Sequence, residues 1–214
     1  MTWHPLLRAQ LADALREVSP EAPTLCEGWQ ARHVAAHVVL RESSATVPAA
    51  LVVPGLASRA ESAIAALADT ARSEAGYREL VDRVAAGPSR WNPVALGGDL
   101  ANLVELFVHG EDVRRGSGPV PARQLDPPLV EALWEQLLRS GGMRLRRLPV
   151  GVVLVRDDGV RTRARKPRGD HGTVVVRGAV PELVLWALGR GAASDVRLEG
   201  DPADVSVLGA RLPA

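Results

Sequence analysis

Apolar residues recur three and four apart over roughly the first two-thirds of the chain. Beyond about position 150 they recur every second residue, so the pattern predicts helices followed by a small sheet. Leu7, Leu11, Ala14, Leu15 and Val18 give the first helix its stripe. Pro5 suits the start of that helix, where a missing N–H costs little, and Ser19-Pro20 stops it. The turn-rich segment SPEAPTLCEGW leads to a second helix over about 30–44, with Val34, Val38 and Val39 among its apolar positions. Residues 47–58 read as a loop or short irregular piece. Helical periodicity returns over about 59–86, with an interruption near Gly76, and residues 87–99 read as a loop. Asp99 can cap a helix reaching about Arg115. After a linker over 116–128, Asp126-Pro127 opens another helix, which reaches Arg139 and is closed by Ser140-Gly141-Gly142.

The period then changes. VGVVLVRDDGVRTRARK reads as two strands around a turn at Asp157-Asp158-Gly159, and GTVVVRG as a third. AVPELVLWALGR is a short helix and ASDVRLEG a fourth strand. The expected organisation is α+β: a helical bundle over 1–142, of the four-helix kind, then a small α+β domain over 148–212. Trp3, Trp91, Trp134 and Trp186 read as packing residues, and Trp29 as the anchor at the start of the second helix.

Composition bounds the class. Apolar residues at 46% and charged residues at 24% are ordinary globular values, enough for one sizeable core or two small ones. Cys26 is the only cysteine, so no internal disulfide can form and cysteine-rich metal sites are excluded. The first eighteen residues form a charged amphipathic pattern rather than a signal peptide, and no stretch is apolar enough to span a bilayer. A soluble cytoplasmic protein without a membrane partner is therefore expected. The net charge of +1 gives no overall bias toward nucleic acid. Residues 139–168, however, hold 10 basic and 2 acidic groups. Strand alternation puts Arg161, Arg163 and Arg165 on one face, and a solvated sheet face accounts for them. No aromatics interleave them for base stacking, so no nucleic acid is expected as a partner. An anionic small-molecule substrate in the cleft between the domains suits this charge better.

Candidate chemistry lies in the histidines, His4, His33, His37, His109 and His171. His33 and His37 stand four apart on the second helix, and Glu105 and His109 four apart on the later one, so each pair points one way. If the two helices face each other, His37, Glu105 and His109 can converge. Two imidazoles and a carboxylate suit zinc or another divalent first-row metal, with a position left for water or substrate. A surface ion pair, or a buried histidine bonded to glutamate, would explain the same spacing. Asp112 continues the polar stripe among Leu103, Leu106, Phe107 and Val108, and polar groups in such company need partners. Cys26 could be a nucleophile, but a lone cysteine in a turn is more often packing.

WQARHVAAHVVLRE resembles the W-x-x-R-x-x-x-x-H helix of the DinB-like metal-dependent superfamily, and ELFVHGEDVRR the Glu-x-x-x-His element of its branch containing mycothiol-dependent maleylpyruvate isomerase. TLCEGW, AAHVVLRE and VELFVHGEDVRR together resemble a group of actinobacterial metal-binding proteins. The tail PELVLWALGR…DVRLEGD is similar to the branch's small sterol-carrier-like C-terminal domain. The resemblance implies a divalent metal, expected to be zinc, held by His37, Glu105 and His109, with mycothiol as a thiol co-substrate. It implies metal-dependent thiol transferase or isomerase chemistry. A metal-dependent hydrolase and a non-enzymatic, metal-stabilised binding module are the alternatives. His33 and Asp112 are expected to support the ligands from behind or to line the cleft. The sequence departs from the group at Gly110, where relatives often carry a second histidine.

Overall fold

The computed structural model describes every residue except 1, 45, 46, 48, 49, 51, 52, 54, 90, 91, 213 and 214; the side chains of 93, 95 and 140–144 are likewise left out. Trp91 and much of the loop expected over 47–58 therefore lie outside the described residues. The chain divides into two compact units, Met1–Val120 and Pro121–Ala214.

The first unit is helical. It contains α1 (His4–Arg16), α2 (Ala31–Ser43), α3 (Ala57–Thr70), α4 (Glu74–Ala86), the single turn α5 (Pro93–Leu96) and α6 (Gly98–Arg114). α1 contacts α4 and α6, α2 contacts the same two, and α3 packs on α2. The core lies between them, with Leu7, Leu11 and Leu15 of α1, Val34 and Val38 of α2, Leu80 and Val84 of α4, and Leu106 and Phe107 of α6 all buried. The break between α3 and α4 is where the pattern places it. The Ser73 hydroxyl accepts from the Gly76 amide at 3.2 Å and starts a new helix. A Cβ at Gly76 would stand 2.5 Å from the Thr70 carbonyl oxygen, so the close turn needs glycine.

Asp99 does not cap its own helix. Its carboxylate accepts the Trp3 amide at 2.8 Å, and the His4 amide and ring Nδ1 at 2.8 and 2.7 Å. It thus satisfies free donors at the start of α1, from 95 residues away in sequence. A second tie is buried. Arg8 of α1 makes a two-pronged pair with Glu42 of α2 and also donates to the Val84 carbonyl of α4 at 3.0 Å, linking three helices.

The second unit opens with α7 (Pro127–Leu145), followed by β1 (Gly151–Arg156), β2 (Arg161–Arg165), β3 (Thr173–Gly178), α8 (Val180–Ala187), a 3-10 turn, β4 (Arg197–Glu199) and α9 (Pro202–Arg211). The sheet runs β2-β1-β3-β4, with β1 and β3 parallel and the other pairs antiparallel. Gly159 takes φ +88° in the β1–β2 turn, as the Asp-Asp-Gly turn demands. Arg161 and Arg163 stand on the exposed face of β2, while Thr162 and Ala164 are half-buried.

Two boundaries move from expectation. The division between units falls at 120/121 rather than between 142 and 148, because α7 packs on β2 and α8 of the second unit. Ser140-Gly141-Gly142 does not end α7, which continues to the buried Leu145. Two glycines inside a helix cost about 2 kcal/mol together, which one buried leucine, at about 1.5–3 kcal/mol, can offset. α9 is unforeseen, although Asp201 caps it through the Ala203 amide at 2.8 Å and Pro202 occupies its first turn.

Candidate metal centre

α2 and α6 position the site. Both helices are buried round much of their circumference, and several of their polar residues are among the buried ones. Along α6 the buried set includes Asn102, His109, Glu111 and Asp112 beside Leu103, Leu106 and Phe107. Polar atoms so placed must find partners within the protein.

His37, Glu105 and His109 come together. His37 Nε2 lies 2.9 Å from Glu105 Oε1, and His109 Nε2 lies 3.3 Å from the same oxygen. The two imidazole rings meet edge to face with centroids 4.9 Å apart. The three donor atoms all lie within 4.8 Å of one another, a group able to hold a metal ion. The side chains of His37 and Glu105 keep 18% and 31% of their surface exposed, so the cluster is open on one side. Its back wall is His109, which is buried.

Asp112 and Cys26 sit behind His109. Asp112 Oδ2 is 2.9 Å from His109 Nδ1, and the Cys26 thiol donates to that oxygen at 3.1 Å. The contact of Asp112 with His109 spans one helical turn. Cys26, His109 and Asp112 form a second three-donor group that could hold a metal, sharing His109 with the first. A neutral imidazole offers one lone pair, so His109 can serve only one of the two. At 2.9 and 3.1 Å the contacts at Asp112 have hydrogen-bond lengths. A proton on His109 Nδ1 directed at Asp112 leaves Nε2 as the available donor atom on the open side.

The electrostatics follow from this crowding. Burial would raise the Glu105 carboxyl, but hydrogen bonds from His109 and His37 and the charge of Arg41 outweigh it and hold the group well below its ordinary value. Burial would lower the His109 imidazole, yet Asp112, Cys26 and Glu105 together raise it well above its ordinary value. His37 differs from His109 at its far nitrogen. His37 Nδ1 is buried and has no hydrogen-bond partner among the described residues.

His33 does not join the cluster. Its Nδ1 accepts the Gln30 amide at 3.1 Å, so it caps the start of α2. Burial foremost, then the neighbouring Arg32, lowers its basicity, which suits an acceptor that stays neutral. Glu111 binds Arg114 at 2.7 Å and Arg115 at 2.6 Å, the helix-end ion pairs that the spacing suggests.

Three neighbours are not evident from the sequence pattern. Arg41, one turn beyond His37 on α2, lies 3.4 Å from Glu105 Oε1 and donates to Asn102 Oδ1 and the Ala101 carbonyl at 2.8 and 2.5 Å. Its spacing four residues after His37 is the available signal. Trp29, expected to anchor α2, also places its ring 5.3 Å from that of His37. Cys26, expected to be packing, is half-buried and hydrogen-bonded to Asp112. Its place in TLCEGW, just ahead of the histidine helix, is the only sign.

The second unit has a pocket of about 350 Å³ whose lining includes Arg123, Arg156, Asp158 and Glu182. Arg156 is already engaged there, by Glu131 at 2.5 Å and Asp158 at 2.6 Å. Among the described residues no helix is long and apolar enough to cross a membrane.

No curated protein matches the chain. Solved structures do. One is the crystal structure of the mycothiol-dependent maleylpyruvate isomerase, with 18% identity, a TM-score of 0.55, and coverage of 92% of this chain and 90% of that one. A histidine-to-alanine mutant of that isomerase matches with the same values. At that identity the likeness establishes the fold alone. The family described as the mycothiol maleylpyruvate isomerase N-terminal domain matches residues 6–114, just over half of the chain and nearly all of the helical unit. The chain that brings His37, Glu105 and His109 together therefore belongs to the mycothiol maleylpyruvate isomerase N-terminal domain family.

Proposed function

We propose that the protein is a metal-dependent enzyme of the thiol transferase or isomerase kind. His37, Glu105 and His109 would hold a divalent metal, zinc by the nature of the donors, and a low-molecular-weight thiol of the mycothiol type would be the co-substrate. One observation carries the reading: two imidazoles and a carboxylate from two different helices meet within ligand distance on an open side of the bundle. The donor set fits the metal. Imidazole and carboxylate are normal zinc ligands, and three of them leave a position for an exchangeable group. When bound, zinc supplies a Lewis acid that lowers the pKa of a coordinated thiol and makes it nucleophilic near neutral pH.

The chain's own residues do the rest. Asp112 accepts at Nδ1 of His109 and so turns Nε2 toward Glu105. His109 and His37 foremost, and Arg41 at 3.4 Å from the same oxygen, hold the Glu105 carboxylate in its ionised form. Trp29 packs against the His37 ring and limits its rotation. A small, anionic electrophile is the substrate class we propose. The second unit would be the sterol-carrier-like module that accompanies such bundles.

Cobalt substitution tests the thiol part. Addition of mycothiol to the cobalt-loaded protein is expected to produce a thiolate-to-cobalt charge-transfer band and to change the visible spectrum. A cobalt spectrum indifferent to the thiol would remove the thiol from the reading, and hydrolysis of a bound substrate would then be the chemistry to assay.

A further inference from the structure

The turn Thr24–Trp29 is built to a fixed shape. The Thr24 hydroxyl donates to the Trp29 carbonyl at 2.9 Å and accepts the Cys26 amide at 3.2 Å. The Trp29 amide closes the turn on the Cys26 carbonyl at 2.9 Å, and Gly28 supplies the φ of +74° that the reversal requires. The turn is then fastened to the last turns of α6. The Leu25 amide donates to the Asp112 carbonyl at 3.0 Å. A Cβ at Gly116 would collide with the Pro23 carbonyl oxygen, so only glycine lets the two backbones approach so closely. This seating brings the Cys26 thiol to the same Asp112 oxygen that His109 Nδ1 uses.

We infer that Cys26 is a positioning residue for the metal centre: its thiol fixes the Asp112 carboxylate, and Asp112 in turn fixes His109 with Nε2 facing Glu105 and His37. The inference rests on the metal reading above and adds a residue to it. A carboxylate held by one donor can swing about its own side-chain torsion. Held by two donors on one oxygen, and with its own backbone carbonyl tied to Leu25, it has little freedom. Groups that orient a metal-bound imidazole from behind change metal affinity by about 10–100-fold when removed. Cys26 stands one bond further out, so about tenfold is the expected effect.

Cobalt titration of the metal-free protein is the first test, with Cys26→Ala, Cys26→Ser and His37→Ala beside wild type. Cys26→Ala should bind one cobalt per chain about tenfold more weakly, with shifted visible bands. Cys26→Ser, which keeps a donor, should restore both affinity and spectrum. Wild type without added thiol should show no thiolate-to-cobalt charge transfer. Equal affinity and spectrum for Cys26→Ala and wild type would overturn the inference. So would a charge-transfer band in wild type that Cys26→Ser loses, since Cys26 would then be a ligand. The second test needs no metal. Nitrogen-15 spectra of the histidine rings should show His109 Nδ1 shifted in Cys26→Ala and returned in Cys26→Ser, with His37 unmoved. An unmoved His109 signal contradicts the inference whatever the fate of the metal reading. His37→Ala binding cobalt as wild type does would sink the metal reading and with it the role of Cys26 at a metal, while the His109 signal would still decide whether Cys26 fixes Asp112 and His109.

Discussion

Asp112 decides how His109 presents itself. Its carboxylate is fully buried and bonds to Nδ1 of the imidazole. Asp112→Asn keeps the shape but loses the charge that anchors the Nδ1 proton, so metal affinity should fall about 10–100-fold while the fold persists. Calorimetric titration with zinc measures this, and an unchanged affinity would mean that Asp112 does not support the ligand. The two histidines are not equivalent. His109 has its far nitrogen bonded, whereas His37 Nδ1 is buried without a partner among the described residues. A proton there has no acceptor, so ligation through His37 Nε2 carries a cost that ligation through His109 escapes. His109→Ala should therefore lose more metal affinity than His37→Ala, and the reverse order in the same titration would contradict the assigned tautomers.

Two of the polar ties between the helices can be cut separately. Glu42 and Arg8 keep 5% and 10% of their side-chain surface. Glu42→Ala leaves Arg8 buried without its counter-charge and should cost about 3–5 kcal/mol in urea unfolding. Replacing both together, as Arg8→Met with Glu42→Leu, should recover most of that loss, since an apolar pair fills the space without an orphan charge. The second tie responds to pH. Burial would raise the Asp99 carboxyl, but the Trp3 and His4 amides and the His4 ring outweigh it and hold it below its ordinary value. A carboxyl lower in the folded than in the unfolded state adds stability above the unfolded pKa. That stability is lost as pH falls through the folded value. Asp99→Asn keeps an acceptor oxygen but loses the charge, so it should be less stable than wild type at neutral pH, by about 0.3–1 kcal/mol, with the gap closing toward pH 3. A gap that stays constant through the acid range would contradict the role of the charge.

Much of the molecule is legible in its amino acids, for particular reasons. The 3.6 period marks the long helices, and the change to period two marks β1, β2 and β3. Glu105 and His109 announce themselves by spacing on one helix, and His37 joins them once α2 and α6 are known to touch. What stays hidden depends on contacts distant in sequence. Nothing near Asp99 says that it caps α1, 95 residues earlier. Nothing near Cys26 says that it will reach Asp112, 86 residues later. The unit boundary departs from expectation because α7 carries the same periodicity as the bundle helices, and only its packing on β2 and α8 assigns it to the second unit. Spacing from His37 draws His33 toward the site, but capping Gln30 turns it to the helix start. Family membership follows from the helical unit, residues 6–114, and the metal reading rests on three side chains within it. Elemental analysis of the purified protein under metal-replete conditions tests that reading most directly. Wild type should hold close to one zinc per chain, and His37→Ala and His109→Ala should each lose most of it while staying folded. Equally little metal in all three proteins would contradict the account.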